Sequence, residues 1–402
     1  MKKIVQINVA CNYGSTGRII EQLGILAQKR GYESYIFHSA RYAYKSAHQS
    51  FCFGSLLDEY LHGLKSFIFD SHGLGSNQAT LKVIEKIDQI SPDIIHLHNL
   101  HGYYINYQIL FEYLKCKDIP IIWTLHDCWA FTGHCAHFSC IGCNKWQSEC
   151  FECPQKHAYP YSIFDFSRRN FLLKREAFIG CKDLTIVPVS NWLADLLKKS
   201  FLNCYPIKRI YNGIDTNVFN ILNKNNLKCK LGIQNKFVLL GVASSWGYKK
   251  GFDDFITLSK MLSNDIVIIM VGLNSRQIKE LPSNIIGISR TNNIIELAKL
   301  YSSADLFLNL TYEDTFPTTN LEAMSCGTPV LTYETGGSPE ALQPNLGFVV
   351  KQGDLENVLS CVNKVKNGET MEGICYRNHV VERFKIEDRY EEYIQLYDKK
   401  VH

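Results

Sequence analysis

The strongest constraint on the fold is a rhythm of short, almost wholly apolar segments separated by helical patterns. In the first half the segments are IVQINVA (4–10), SYIFHS (34–39), DIIHLHN (93–99), IPIIWTLHD (119–127) and LTIVPVS (184–190). In the second half they are FVLLGVAS (237–244), DIVIIMVG (265–272), NIIGIS (284–289), DLFLNLT (305–311) and TPVLTYE (328–334). Helical patterns fall between them, over 17–30, from 191, from 251, over 293–303 and near 319–326. Strands covered on both faces read as continuous apolar runs, and their alternation with helices predicts α/β architecture with parallel sheets. Two such series predict two doubly wound domains in tandem, an N-terminal one over 1–205 and a C-terminal one over 206–384. Residues 385–402 then form a terminal helix with Tyr390, Tyr393, Ile394 and Tyr397 on one face, packing on its own domain or crossing back to the first. With 402 residues, 46% of them hydrophobic and 20% charged, the chain has material for two full cores. A tail, a linker or a lone small binding module is excluded.

Charge narrows the partners. A net charge of +4 without a basic stripe gives no warrant for nucleic-acid binding. No apolar run reaches the roughly 18 residues of a membrane span, and MKKIVQINVA reads as a strand rather than a signal peptide. The expected location is the cytoplasm, with peripheral contact at the inner face of the cell membrane left open. Leu57, Tyr60, Leu61, Leu64, Phe67 and Ile68 form an apolar stripe at helical spacing. Core packing is its expected fate, and an interfacial helix gripping a lipid-linked acceptor is the sharper alternative.

Ligands of parallel sheets bind outside the carboxyl ends of the strands, so the residues that follow each strand carry the functional reading. Asn12-Tyr13-Gly14-Ser15-Thr16-Gly17-Arg18 opens a helix after the first strand, where glycine and free amides suit a phosphate. It is neither a Walker loop nor the dinucleotide fingerprint. In the second half, Ser244, Ser245 and Trp246 end a strand and Lys249-Lys250-Gly251 opens the next helix. Lysines there oppose the helix dipole unless an anion lies in front of them. The segment from Glu313 and Asp314 through Thr318, Thr319 and Asn320 to Glu322 places helix-start amides between two carboxylates eight positions apart. Such amides suit a phosphate and such carboxylates suit sugar hydroxyls. Either acidic group before the helix could instead cap it. Glu322 lies among apolar residues, where a carboxylate needs a ligand or a fixed partner.

Taken together, Lys250-Gly251, the Asp314 and Glu322 pair, Cys326-Gly327-Thr328-Pro329-Val330, Gly336-Gly337-Ser338-Pro339-Glu340 and Asn212-Gly213-Ile214-Asp215 with Phe219 resemble the retaining nucleotide-sugar glycosyltransferases of family four. The resemblance implies the GT-B fold, two Rossmann-like domains facing a cleft. Within that family the chain is most similar to enzymes of bacterial surface-polysaccharide biosynthesis (colanic-acid, capsule and O-antigen type), whose first domain has a His-Asp-Cys-Trp segment and a cysteine-rich insert, here 128–157. By this resemblance Lys250 binds the donor diphosphate, with Ser245 and the helix start at Thr318, Thr319 and Asn320 also on the donor. Asp314 contacts the transferred sugar, Glu322 holds the ribose, His126 reaches the sugar near the reacting carbon and Gly17 faces the phosphates. The acceptor is a glycan or lipid-linked saccharide, and catalysis needs no cofactor if these groups neutralise the phosphates. Two departures stand out: Ser244 and Ser245 occupy the place of the family's usual arginine, and Asp314 that of its usual glutamate, with Glu313 adjacent. A nucleotide-sugar epimerase of the same fold and a non-catalytic glycan- or nucleotide-binding relative are the competing readings.

Six of the fifteen cysteines crowd between Cys128 and Cys153. The pairs Cys140/Cys143 and Cys150/Cys153 each have the C-x2-C spacing of a zinc knuckle, which makes a structural zinc site on these four thiols the leading expectation. Disulfides, free thiols and an iron–sulfur cluster are the alternatives. The other nine are scattered and read as small buried hydrophobes.

Overall fold

The computed structural model describes residues 1–223 and 225–401; within the polar stretch 220–230, position 224 lies outside the described residues. Two compact units emerge, Met1–Tyr211 together with Tyr390–His402, and Asn212–Arg389. Each is built on a six-stranded, all-parallel sheet, and both sheets have the same strand order.

In the first unit the order across the sheet is Gln49–Cys52, Tyr32–His38, Lys2–Ile7, Ile94–Leu97, Ile121–Leu125 and Leu184–Pro188. In the second it is Ile285–Ile288, Ile266–Val271, Phe237–Val242, Leu306–Asn309, Val330–Tyr333 and Phe348–Val350. Numbered by appearance within each unit, both orders are 3-2-1-4-5-6, the doubly wound Rossmann arrangement. The central strands Ile4–Ile7, Ile94–Leu97 and Ile121–Leu125 are buried throughout, as the continuous apolar runs require. The second core is of the same kind, with Leu239, Ile268, Met270, Leu306 and Leu331 packed beneath Phe255 and Val362 of the flanking helices.

In a sheet of this order the chain leaves strands 1 and 4 in opposite directions, opening a crevice at their carboxyl ends. That switch point falls after Ile7 and Leu97 in the first unit and after Val242 and Asn309 in the second. The segments singled out in the sequence for ligand chemistry follow strand ends: Asn12–Arg18 after Ala10–Cys11, Ser244–Gly251 after Phe237–Val242, Glu313–Glu322 after Leu306–Asn309, and the cysteine insert after Ile121–Leu125.

The terminal helix spans Ile386–Val401. From Tyr390 onward it packs within the first unit, where the Tyr397 hydroxyl lies 2.7 Å from Nδ1 of buried His96 and Thr124 Oγ1 donates to the Tyr393 hydroxyl at 3.1 Å.

Candidate active site

In the second unit, Tyr248–Lys250 forms one 3-10 turn and Gly251 starts the helix Phe252–Met261. Gly251 has φ +71°, and a Cβ there would lie 2.1 Å from the carbonyl oxygen of Leu310. Only glycine satisfies both demands. Thr311 Oγ1 and the Tyr312 amide both donate to the Lys249 carbonyl, at 3.0 and 2.9 Å. These contacts fix the lysine turn against the end of strand Leu306–Asn309. Two ion pairs follow from that register: Lys249 with buried Glu313 at 2.5 Å, and Lys250 with Asp314 at 2.7 Å. Lys250 and Asp314 are both partly exposed, so the pair can be shared with an anion from solvent, whereas Glu313 is enclosed. Ser244 and Ser245 are exposed at the end of strand Phe237–Val242.

The helix Thr318–Ser325 begins after Pro317, which supplies no capping side chain. Its first amides, at Thr318 and Thr319, therefore have no side-chain cap, and both residues are partly exposed. Asn320 differs from the sequence expectation. It is fully buried, accepts from Asn309 Nδ2 at 2.8 Å, donates to Ser338 Oγ at 3.0 Å, and its own N–H goes to the Pro317 carbonyl. These bonds occupy its side chain and its N–H, so Asn320 clamps the helix start in place. Glu322 has the fixed partner its surroundings demand: the buried Tyr301 hydroxyl donates to Oε2 at 2.9 Å, and Thr318 Oγ1 lies 3.4 Å from Oε1. The carboxylate is held in one orientation and stays partly exposed.

In the first unit, Gly17 is buried in the helix Gly14–Lys29, where a Cβ would sit 3.2 Å from both Ala10 Cβ and the Asn12 nitrogen. Its role in the structure is close packing of helix on strand; the exposed part of the turn is Tyr13–Ser15. His126 follows strand Ile121–Leu125, its Nε2 3.2 Å from Nδ1 of buried His98 with the two rings nearly parallel. Burial pushes the His126 imidazolium down to about 4, so the ring is neutral near pH 7. Asp127, next in sequence, accepts from the Trp129 amide at 2.9 Å and lies 2.7 Å from Nε2 of His101. Burial alone would raise its carboxyl, but His101 and that amide hold it well below the usual carboxylate range. His98, His101 and Asp127 were not among the expected site residues, although the spacing of HLHNLH (96–101) carried the signal.

Two expectations are corrected. The helix Leu56–Phe69 does not bury its apolar stripe: Leu57, Tyr60 and Leu61 are 65%, 63% and 53% exposed, and Leu64 and Phe67 are also exposed. Its buried side is polar. Glu59 accepts from the Ala40 amide at 2.6 Å and faces Arg41, while His62 Nε2 accepts from the Gly73 and Gly75 amides. The cysteine set also changes. Cys140 Sγ lies 3.8 Å from Gln155 Nε2, and it is Cys135 that joins Cys143, Cys150 and Cys153 around a small cavity. Among the described residues no three His, Cys, Asp or Glu side chains are already set to hold a metal ion.

Comparison with known proteins bears on the family and the fold. Residues 16–218 match the model described as Glycosyltransferase Family 4, and residues 223–379 that described as Glycosyl transferases group 1. The chain is 27% identical over 289 residues to the putative colanic acid biosynthesis glycosyl transferase WcaC of Escherichia coli (strain K12), covering 68% of this chain and 67% of that one. It is 25% identical over 205 residues to the N-acetyl-alpha-D-glucosaminyl L-malate synthase of Bacillus anthracis, a match spanning 48% of this chain and about half (53%) of that relative. In fold it is similar to sucrose-phosphate synthase from Thermosynechococcus elongatus, with a TM-score of 0.75, 15% identity and 99% of both chains covered. Anabaena HepE in complex with UDP-glucose superposes with a TM-score of 0.68 at 15% identity, covering 99% of this chain and 100% of that one.

Proposed function

The chain belongs to glycosyltransferase family 4, and from that premise we propose that it transfers a sugar, with retention of configuration, from a nucleotide diphosphate sugar to a saccharide or lipid-linked saccharide in bacterial surface-polysaccharide biosynthesis. The observation that carries this reading is the anion-ready switch point of the second unit. There Lys250 is held by Gly251, the Thr318 and Thr319 amides have no side-chain cap, and Glu322 is fixed in place by Tyr301.

In this reading the diphosphate takes up Lys250 and the helix-start amides, which oppose the charge that develops as the anomeric C–O bond breaks. Glu322 accepts hydrogen bonds from the ribose hydroxyls, and Asp314, already paired with Lys250, faces the transferred sugar. The acceptor hydroxyl oxygen attacks the anomeric carbon from the face the diphosphate leaves, and its proton passes to the departing phosphate oxygen. Configuration is thereby kept without a protein nucleophile. Neutral His126 offers a hydrogen bond to a sugar hydroxyl rather than a charge. Exposed Ser244 and Ser245 stand where an arginine would add a second cation, so diphosphate stabilisation rests on Lys250 and the amides.

The exposed helix Leu56–Phe69 supports a lipid-linked acceptor and contact with the membrane face. The apolar surface continues beyond the helix, since Phe67 stacks on Tyr161 at 5.3 Å and Ile163 and Phe164 are exposed beside it. Among the described residues no helix is long and apolar enough to cross a membrane. An amphipathic face of this kind binds in the interfacial plane instead.

The test is a panel of UDP-, GDP-, ADP- and dTDP-sugars incubated with purified chain and a membrane lipid extract, followed by mass spectrometry of released nucleotide and glycosylated product. One donor yielding a glycosylated product is the expected result. Conversion of a donor to its epimer would favour the epimerase reading, and no turnover of any donor would favour a non-catalytic relative.

A further inference from the structure

The cysteine insert borders a partly open cavity of about 20 Å³ whose lining includes Cys135, Cys143, Cys150, Cys153 and His134. Such a space admits one water-sized body. It suits a single ion.

Three observations bear on what belongs there. First, the four thiols line one cavity and are linked through Cys150: Cys135 hydrogen-bonds to Cys153, and Cys150 has Cys135, Cys143 and Cys153 among its electrostatic neighbours. Cys150 Sγ already accepts the Gly133 amide at 3.2 Å, the N–H···S bond that orients a ligating thiolate and spreads its charge. Second, a buried cation lies beside the cluster. Lys174 is 1% exposed, its ammonium donates to the Trp129 and Thr132 carbonyls at 2.6 and 3.0 Å, and it sits over the Trp129 ring. A buried ammonium needs compensating negative charge nearby, and its electrostatic neighbours are Cys150, Asp70, Cys135 and Asp127. Third, His134 is buried against the cavity with Nδ1 on Asp70 at 2.6 Å, while its Nε2 has no hydrogen-bond partner.

The geometry points to a structural zinc site in which Cys135, Cys143, Cys150 and Cys153 are the four ligands. Four thiols lose their protons to bind one dication, leaving a doubly negative centre beside the buried Lys174 ammonium. Binding replaces the Cys135 to Cys153 hydrogen bond with two metal–sulfur bonds. Cys140 is not a ligand, although its C-x2-C spacing with Cys143 suggests that it should be. The closed set of four leaves no open position, so the ion holds the insert together and takes no part in sugar transfer.

The test is metal content of the full chain, purified without chelator and measured by inductively coupled plasma mass spectrometry alongside a count of reactive thiols. About one zinc per chain is expected, retained in Cys140→Ser and His134→Ala and lost at least tenfold in Cys135→Ser, Cys143→Ser, Cys150→Ser and Cys153→Ser. Because a ligand variant can misfold, the parent is also stripped and refilled with cobalt. Four-thiolate tetrahedral coordination gives intense visible d–d bands with sulfur-to-metal charge transfer, which Cys140→Ser should leave unchanged. Metal-free parent with a disulfide in the cluster, zinc that persists in Cys135→Ser but is lost in Cys140→Ser, or loss in His134→Ala with retention in Cys143→Ser would each overturn the assignment.

Discussion

Gly251→Ala tests the link between backbone geometry and the donor lysine. The new methyl would meet two penalties at once. A left-handed conformation, φ +71° here, costs an alanine about 1–2 kcal/mol. The Cβ would also lie 2.1 Å from the Leu310 carbonyl oxygen, a main-chain atom that no rotamer change removes. Forced overpacking of this kind costs roughly 1–3 kcal/mol, so a total of about 2–5 kcal/mol is expected. The relief must come from separating the turn Tyr248–Lys250 from the strand end that carries Thr311 and Tyr312, whose bonds to the Lys249 carbonyl register Lys250 against Asp314. A displacement on the order of 1 Å at a positioning group reduces turnover about 100-fold. Urea denaturation and donor turnover, measured on the same preparations, separate the two effects, with Lys250→Ala as the partner variant. Lys250→Ala should lose activity while changing stability by about 1 kcal/mol or less, because its ion pair is partly exposed. If Gly251→Ala is as stable as the parent, the steric argument is wrong. If it is destabilised yet turns over donor normally, Gly251 does not position the lysine.

Other perturbations have equally definite outcomes. Glu322→Gln keeps an acceptor for the Tyr301 hydroxyl, so stability should change by about 1 kcal/mol or less while calorimetric affinity for the nucleoside diphosphate falls about tenfold; Glu322→Ala should add a stability loss of about 1–3 kcal/mol from the stranded hydroxyl. Equal affinity in parent and Glu322→Gln would remove the carboxylate from ribose binding. Tyr397→Phe deprives buried His96 Nδ1 of its partner at 2.7 Å and should cost about 1–3 kcal/mol in urea denaturation; no change would mean that the terminal helix is not anchored there. Burial lowers His62 to about 4 and His96 to about 3, so the unfolded chain binds more protons than the folded one between those values and its own histidine range near 6.5. Stability should therefore fall, on the order of 3 kcal/mol per histidine, as pH drops from about 6.5 towards 4, and stay level in this contribution above pH 7; a urea midpoint unchanged between pH 7.5 and 4.5 would contradict that burial effect.

The strands that the sequence revealed best are those whose every side chain is buried, since a parallel strand covered on both faces leaves no polar positions to blur the pattern. The edge strands Gln49–Cys52 and Phe348–Val350 escaped notice because they are short and partly exposed, so their residues carry no such run. Helical spacing identified the stripe on Leu56–Phe69 but not the side on which protein lies. Periodicity says which residues share a face, and only the hydrogen bonds of Glu59 and His62 show that the polar face is the buried one. At the candidate site, motif spacing picked out Lys250, Asp314 and Glu322, but the groups that fix Lys250 and Glu322, the Leu310 backbone against Gly251 and the Tyr301 hydroxyl, lie far away in sequence and leave no local mark. The same limit explains the cysteines. Cys140 is near Cys143 in sequence, whereas Cys135 reaches the cavity through the path of the chain.

The most direct measurement follows nucleotide release and product configuration together, with the donor selected by the panel, by phosphorus and proton nuclear magnetic resonance in parent and Lys250→Ala. The account predicts one nucleoside diphosphate released per sugar transferred, the donor's anomeric configuration kept in the product, and both signals lost in the variant. Inverted product, or full turnover in Lys250→Ala, would contradict it.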